Sequence, residues 1–301
     1  MQLIKNSTAK HTATIGFFDG VHRGHRFVID QLKQAAAETN SQCLVLSFDK
    51  HPRRVLQADF QPKLLTTLPE KLELLGATGI DACALLNFTP EMARLSAFEF
   101  MHYILKERFN VNRLLIGYDH RFGNKKNETF DDYRHYGERL GIELLELAQF
   151  STLESEHISS SEIRRALLAG QIEYANKLLG YAYFLEGRVV DGYKIGRKIN
   201  FPTANLQAVD PDKLIPGLGV YAVKVHFKGK IYGGMLNIGK RPTLANGDDT
   251  SIEVHIFNFD NIIYDESLQV EFLRKIRDEK KFENIEELTE QLKKDRLIAL
   301  N

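Results

Sequence analysis

From residue 12 to about 150, short apolar runs take turns with stretches whose apolar positions recur at helical spacing. TATIGFF is followed by a helix from Arg26, QCLVLSF by a helix near Pro69, and ACALL by a long amphipathic stretch from Pro90 to Phe109. RLLIGY, a helix near Asp131 and IELLEL continue the series. Strand and helix in alternation predict a parallel sheet covered on both faces. In the first helix Val28, Leu32 and Ala35 or Ala36 fall on one face, which is the face expected to pack on that sheet. Two short helices close this half, from about Glu162 to Ala169 and from Ile172 to Leu179, with Gly170 and Gly180 as their stops.

Past Gly180 the grammar changes. FLEGRVV, GVYAVKVHF, KIYGGMLNI, SIEVHIF and LQVEFL are strands separated by turns rich in Gly, Asp and Asn, with no helix between them. That pattern predicts antiparallel sheet closed into a small barrel. A terminal helix follows, in which Ile285, Leu288 and Leu292 form a narrow apolar stripe suited to the barrel's outside or one end. The expected organisation is therefore α/β followed by β, with residues 1–180 as one domain and 181–301 as the other.

Composition narrows the classes open to such a chain. Its 301 residues, 43% apolar, suffice for two ordinary domains. Forty basic residues balance 40 acidic ones, so no polyanion-coating surface is expected and any phosphate binding must be local. Cys43 and Cys83 each lie in a strand-like apolar run, which fits buried thiols in a reducing compartment. Without a long apolar stretch or a signal-like N-terminus, the expectation is a cytoplasmic protein with no membrane or nucleic-acid partner, monomeric or weakly oligomeric.

Two segments carry candidate chemistry in the first half. TIGFFDGVHRGH joins the first strand to the first helix, where open parallel sheets bind ligands. Gly16, Phe17, Asp19 and Gly20 line that turn, and Gly24 permits close backbone approach at a helix start that favours anions. His22 and His25, three positions apart, can reach one phosphate together; taken alone, they also fit two surface-turn histidines. In HISSSEIRRALLAG one of Ser159, Ser160 and Ser161 serves as an N-cap. The other hydroxyls and Arg164 add up to a polyphosphate cradle.

GFFDGVHRGH with ISSSEIR resembles the HxGH and ISSTxIR pair of the nucleotidylyltransferase superfamily. FDKHP followed by GYDHRFG resembles its flavin branch, FAD synthetase. The resemblance implies a Rossmann-like domain that transfers AMP from ATP to FMN. His22 and His25 would stabilise the α-phosphate, Ser160, Ser161 and Arg164 would hold ATP phosphates, and His51, Pro52, Asp119 and Phe122 would lie on the flavin side. Phe122 read by itself fits a core aromatic better than a ligand contact, since buried aromatics are mostly packing residues. Lys50 stands where the family has proline, and NKKNE lacks the family's second glycine after Gly123.

In the second half, GYKIGRKINFPTANL sets Thr203 and Asn205 on one side of extended backbone, an oxygen pair suited to Mg²⁺ held mainly by nucleotide phosphates. Gly192 and Gly196 would let the preceding loop, with Arg197, lie over those phosphates; an ordinary turn is the alternative. SIEVHIF places Glu253 and His255 opposite Ile252, Val254 and Ile256, which solvated alternation also explains. Together with NIGKRPT and IRDEKKF, these segments resemble riboflavin kinase. The resemblance implies Glu253 as general base for the ribityl hydroxyl, Thr203 and Asn205 at metal and phosphates, and Arg277 at the flavin. Asn200 replaces a glycine usual in that family.

The two resemblances follow the domain order of bacterial bifunctional riboflavin kinase and FAD synthetase, with riboflavin, FMN, FAD, ATP and Mg²⁺ as the implied ligands. The rivals are another HxGH adenylyltransferase carrying an unrelated barrel and a regulatory protein that kept the fold without the chemistry. The PTAN segment opposes the first, and the presence of both residue sets opposes the second.

Overall fold

The computed structural model describes residues 1–51, 62–117, 121–124, 128–147, 158–191, 196, 201–240 and 250–300. The chain divides into two compact units, Met1–His157 and Ile158–Asn301.

In the N-terminal unit a 6-stranded sheet has the order β1-β4-β3-β2-β5-β6, and every pairing is parallel. Its strands are β1 (Gln2–Leu3), β2 (His11–Ile15), β3 (Gln42–Phe48), β4 (Ala82–Leu86), β5 (Val111–Ile116) and β6 (Glu143–Glu146). Period-two alternation sends Leu44 and Leu46 into one buried cluster and Cys43 and Val45 into the other, so β3 is covered on both faces. Helix α1 (Arg23–Glu38) buries Ile29, Leu32, Ala35 and Ala36. Ile29 takes the inward place expected for Val28, which is half-buried. Helix α2 (Leu68–Gly76) starts at a Thr67–Glu70 capping box.

The amphipathic stretch expected from Pro90 to Phe109 is not one helix. It breaks into α3 (Pro90–Arg94) and α4 (Ala97–Glu99), the latter continuing as a π-helix over Phe100–Arg108. Ser96 and Glu99 form a capping box that restarts the chain mid-stretch. Helix α5 (Phe130–Leu140) then leads through Gly141, φ 64°, into β6.

The second unit is a closed antiparallel barrel in the order β10-β11-β8-β7-β12-β9. Its strands are β7 (Phe184–Val190), β8 (Ala204–Ala208), β9 (Gly219–Phe227), β10 (Lys230–Lys240), β11 (Thr250–Ile256) and β12 (Ser267–Arg277). Strand β8 is absent from the five runs read in the sequence, because ANLQA is short and half polar. Helices α6 (Ser160–Leu168) and α7 (Ile172–Leu179) belong to this unit and end at Gly170 and Gly180 in left-handed conformation. Asn176 fastens α7 to the barrel by donating to the Phe272 carbonyl at 2.9 Å and accepting from Tyr183 N at 2.8 Å. Helix α8 (Ile285–Leu300) packs against β9, β10 and β12. Only part of its expected stripe faces inward: Leu288 and Leu292 line a cavity, whereas Ile285 is exposed.

Candidate functional site

Strand β2 ends at Ile15, and the chain turns sharply before α1. Phe18 (φ 56°), Gly20 (φ 80°) and Val21 (φ 35°) all take positive φ within four residues. A β-branched residue there is strained, a condition that clusters at ligand-binding turns. The turn is held by Asp19, whose carboxylate accepts from Leu65 N, Thr66 N and Thr66 Oγ1 at 3.0–3.1 Å. Gly20 N donates to the same Thr66 hydroxyl at 3.0 Å. Gly24 is the second residue of α1. His22 is the N-cap of α1, its Nδ1 accepting from His25 N, and the two imidazoles stack 3.6 Å apart at 16°. Burial, then the neighbouring His22 and Lys71, push the His25 pKa well below 6.5, so the ring is neutral at neutral pH. Both rings therefore stand at an anion-favouring helix N-terminus.

Beside this turn lies a cavity of about 330 Å³ lined by Gly16, Phe17, Phe48, Phe88, Phe100 and Phe122, with Arg121 among its polar groups. Phe17 meets the His51 ring at 4.6 Å, and Phe122 stacks on Tyr133 at 4.4 Å and 14°. Phe122 thus packs against the core with one surface and borders the cavity with another. Gly123 makes this possible: its φ is 84°, and a Cβ there would stand 2.5 Å from Ala97 N. Pro52 and Asp119 lie outside the described residues.

Ser159 proves to be the N-cap of α6, accepting from Glu162 N at 3.2 Å. Ser160 and Ser161 are then the first two residues of that helix, with the half-buried Arg164 one turn on.

The barrel unit gathers its residues more completely. A cavity of about 310 Å³ is lined by Gly196, Thr203, Asn237, Glu253, His255 and Arg277, and is closed by Phe282, Leu288 and Leu292. Glu253 on β11 sits opposite Asn205 on one side and Asn237 on the other, so all three side chains share a face of the sheet. The Thr203 hydroxyl donates to Glu253 Oε2 at 3.4 Å. Gly196 has no room for a side chain, since a Cβ would lie 2.2 Å from the Phe201 carbonyl oxygen. His255 Nδ1 lies 2.8 Å from the Pro202 carbonyl. Because a carbonyl only accepts, the hydrogen sits on Nδ1, and burial followed by Arg296 lowers the pKa of this ring. Arg277 is fixed by the fully buried Asp295 of α8, to which Nε and Nη2 donate at 2.9–3.1 Å. Gly192 and Arg197 lie outside the described residues.

Three participants escaped the sequence reading. Lys71, Asn237 and Asp295 are polar residues in ordinary-looking helix or strand contexts, and only Asn237 fell inside a segment singled out beforehand. Among the described residues no group of three or more His, Cys, Asp or Glu gathers as a metal centre.

Residues 4–162 match the family model of FAD synthetase, and residues 179–301 match that of riboflavin kinase. The bifunctional riboflavin kinase/FMN adenylyltransferase of Bacillus subtilis (strain 168) is 38% identical, over 99% of this chain and 94% of its own length. The chain belongs to the bifunctional riboflavin kinase/FMN adenylyltransferase family. Relatives of the same name from Listeria monocytogenes and Escherichia coli K12 are 40% and 36% identical, over 93% and 95% of this chain and 88% and 90% of their own. A crystal structure of a Streptococcus pneumoniae protein named as a macrolide-efflux protein is 33% identical, with TM-score 0.88 over 99% of this chain and 98% of that one. Among the described residues of this family member, no helix is long and apolar enough to cross a membrane. As a riboflavin kinase/FMN adenylyltransferase the chain is a bifunctional enzyme, its FAD synthetase region first and its riboflavin kinase region second.

Proposed function

We propose that the two sites divide the work as follows, residue by residue. The observation that carries the assignment is the barrel cavity, where Glu253, Thr203, Arg277 and Gly196 meet. Glu253 takes the proton of the ribityl 5′-hydroxyl, the oxygen attacks the γ-phosphorus of ATP, and ADP leaves with the bridging oxygen. That hydroxyl is a poor nucleophile, so a positioned base is required. Arg277 contacts the flavin, while Gly196, with Gly192 and Arg197 of the same segment, brings backbone close to the phosphates. The neutral oxygens of Thr203 and Asn205 beside a carboxylate suit a hard cation, and both residues would hold Mg²⁺, which neutralises phosphate charge when bound.

In the N-terminal site an FMN phosphate oxygen attacks the α-phosphorus of ATP and pyrophosphate leaves. The nucleophile is already an anion, so charge stabilisation and positioning dominate. His22 and His25 hydrogen-bond the α-phosphate at the α1 N-terminus. Gly16, Phe17, Asp19, Gly20 and Gly24 shape the ATP-binding turn. His51 and Phe122, with Pro52 and Asp119, take the flavin, an allocation supported by the aromatic lining around Phe17 and Phe122. Ser160, Ser161 and Arg164 hold ATP phosphates, an assignment that rests on their motif and on the helix N-terminus they occupy.

Balanced charge and two free, buried cysteines support a cytoplasmic enzyme of small molecules, without nucleic-acid or membrane partners, that is monomeric or weakly oligomeric. The functional division falls at residues 1–180 and 181–301, a reading supported by the change from alternating strand and helix to strands alone after Gly180.

Two substitutions in the full-length enzyme test the reading. Glu253→Gln keeps the size of the side chain and removes the base, so FMN formation should fall roughly 100-fold while FAD formation from supplied FMN persists. His25→Ala should do the reverse, slowing FAD formation by about 100-fold with kinase turnover intact. Near-normal kinase turnover in Glu253→Gln, or equal loss of both activities in a folded variant, would overturn the assignment.

A further inference from the structure

Lys71 is the fourth residue of α2 and only 2% exposed, an unusual place for an ammonium. Its helix is tied at its start to the turn that carries His22, through the Asp19 bonds to Leu65 and Thr66. From there Lys71 Nζ donates to the carbonyl of Phe48, the last residue of β3, at 2.7 Å. It also donates to the carbonyl of Phe17, just past the end of β2, at 3.2 Å. The same nitrogen stands 4.2 Å from the centroid of the Phe17 ring. Two residues of the aromatic cavity, and the point where β2 gives way to the histidine turn, are therefore held by one cation.

We propose that Lys71 is a positioning residue of FMN adenylylation, joining the carboxyl ends of β2 and β3 and placing a fixed positive charge within electrostatic reach of His25. The inference rests on the reading of the His22–His25 turn as the adenylyl-transfer site. A clamp alone needs only two N–H groups, which a neutral amine also has. Keeping an ammonium there works against burial, which brings its pKa down to about 8 although Asp19, Cys83 and Asp49 oppose the shift. The use that distinguishes charge from clamp is electrostatic: the reaction gathers two phosphate-bearing anions, and a preorganised charge in a water-poor site lowers their mutual repulsion.

The charge and the hydrogen bonds separate with pH. The groups facing Lys71 are Asp19 and Asp49, with Cys83 and His25 as the other titratable neighbours. Cys83 is pushed up to about 11 by burial and His25 is neutral well below 6.5, so neither changes state between pH 7 and pH 10. In that window Lys71 loses its proton yet keeps two donors. FAD formation from FMN and ATP should therefore fall by up to roughly tenfold per pH unit above about 8. FMN formation, assayed in the same full-length enzyme, should not share that limb.

Lys71→Arg retains a charge that does not titrate and should keep FAD formation level to about pH 10. Lys71→Met, which supplies neither charge nor donors, should lower it at least about tenfold at pH 7, measured with near-ultraviolet circular dichroism to establish folding. A wild-type profile flat through pH 9.5, or the same alkaline limb in Lys71→Arg, overturns the proposal even where Lys71→Met does not fold. Full activity of folded Lys71→Met overturns it too. Those failures are separable from failure of the underlying site, because the latter appears as retained FAD formation in His25→Ala.

Discussion

Gly196 shows how a single missing atom shapes the kinase site. Its carbonyl accepts from Phe201 N at 2.9 Å, which holds Gly196 against Phe201 just ahead of Thr203, and an added Cβ would strike the Phe201 oxygen at 2.2 Å. The clash is with backbone, which cannot swing aside as a side chain can. Gly196→Ala should therefore displace the segment bearing Thr203 and reduce kinase turnover by about tenfold or more, with FAD formation from FMN unchanged; steady-state rates with riboflavin and with FMN check both halves. This glycine was legible in the sequence because a Gly-rich, basic run leading into PTAN is an uncommon combination. Lys71 was not, since a lysine in the first turns of a helix looks like solvated surface until the fold shows what its ammonium reaches. Ser159 falls between: three consecutive serines announced a cap, and only backbone geometry decided which of them it is.

Helix α8 illustrates the limit of reading elements by apolar periodicity. Its stripe of Ile285, Leu288 and Leu292 suggested an oily seam, yet Ile285 is exposed and the most buried residue of the helix is Asp295. A polar anchor leaves no periodic trace, because its partner Arg277 lies on a different element, 18 residues away. Gln291 also donates to this carboxylate, at 2.8 Å. Removing one member of such a pair strands the other, which costs about 3–5 kcal/mol when both are buried, and Arg277 is partly exposed, so the lower end applies. Asp295→Asn should lower the melting temperature and raise the KM for riboflavin with a smaller effect on kcat, because Arg277 loses its orientation while Glu253 keeps its own. An unchanged KM would show that the bridge serves only to hold the helix. The alternating elements of the N-terminal half were easier to read, since parallel strands covered on both faces are nearly continuous apolar runs. The break at Ser96 and strand β8 were lost because caps and half-polar strands look like loop in a linear text.

On the scale of the chain, the functional division expected near residue 181 and the compact boundary after His157 differ by two helices. These helices are built into the barrel: Gly217 N donates to the Leu167 carbonyl at 3.0 Å, and Asn176 bridges Tyr183 and Phe272. A fragment of residues 158–301 should accordingly phosphorylate riboflavin without making FAD, and should melt at a higher temperature than residues 182–301. Equal melting of the two fragments would mean that α6 and α7 add nothing to the barrel. The motifs gave the order of the activities, but packing decides where the chain can be cut, and packing is invisible to motifs.

Strand order has a further consequence for how such a chain behaves in a crowded solution. Among the described residues the six barrel strands each pair with a neighbour on both sides, though β8 meets β11 through only two residue pairs, so the ring leaves little open rim on which another polypeptide can template. The open sheet does end in two rims, but they are β1, of 2 residues, and β6, of 4 with a glutamate at each end. Such short margins, one of them bounded by carboxylates, are poor seeds for intermolecular β-structure, so a catalyst with two different sheet architectures joined in one polypeptide resists the self-templating that its long interior strands would otherwise invite.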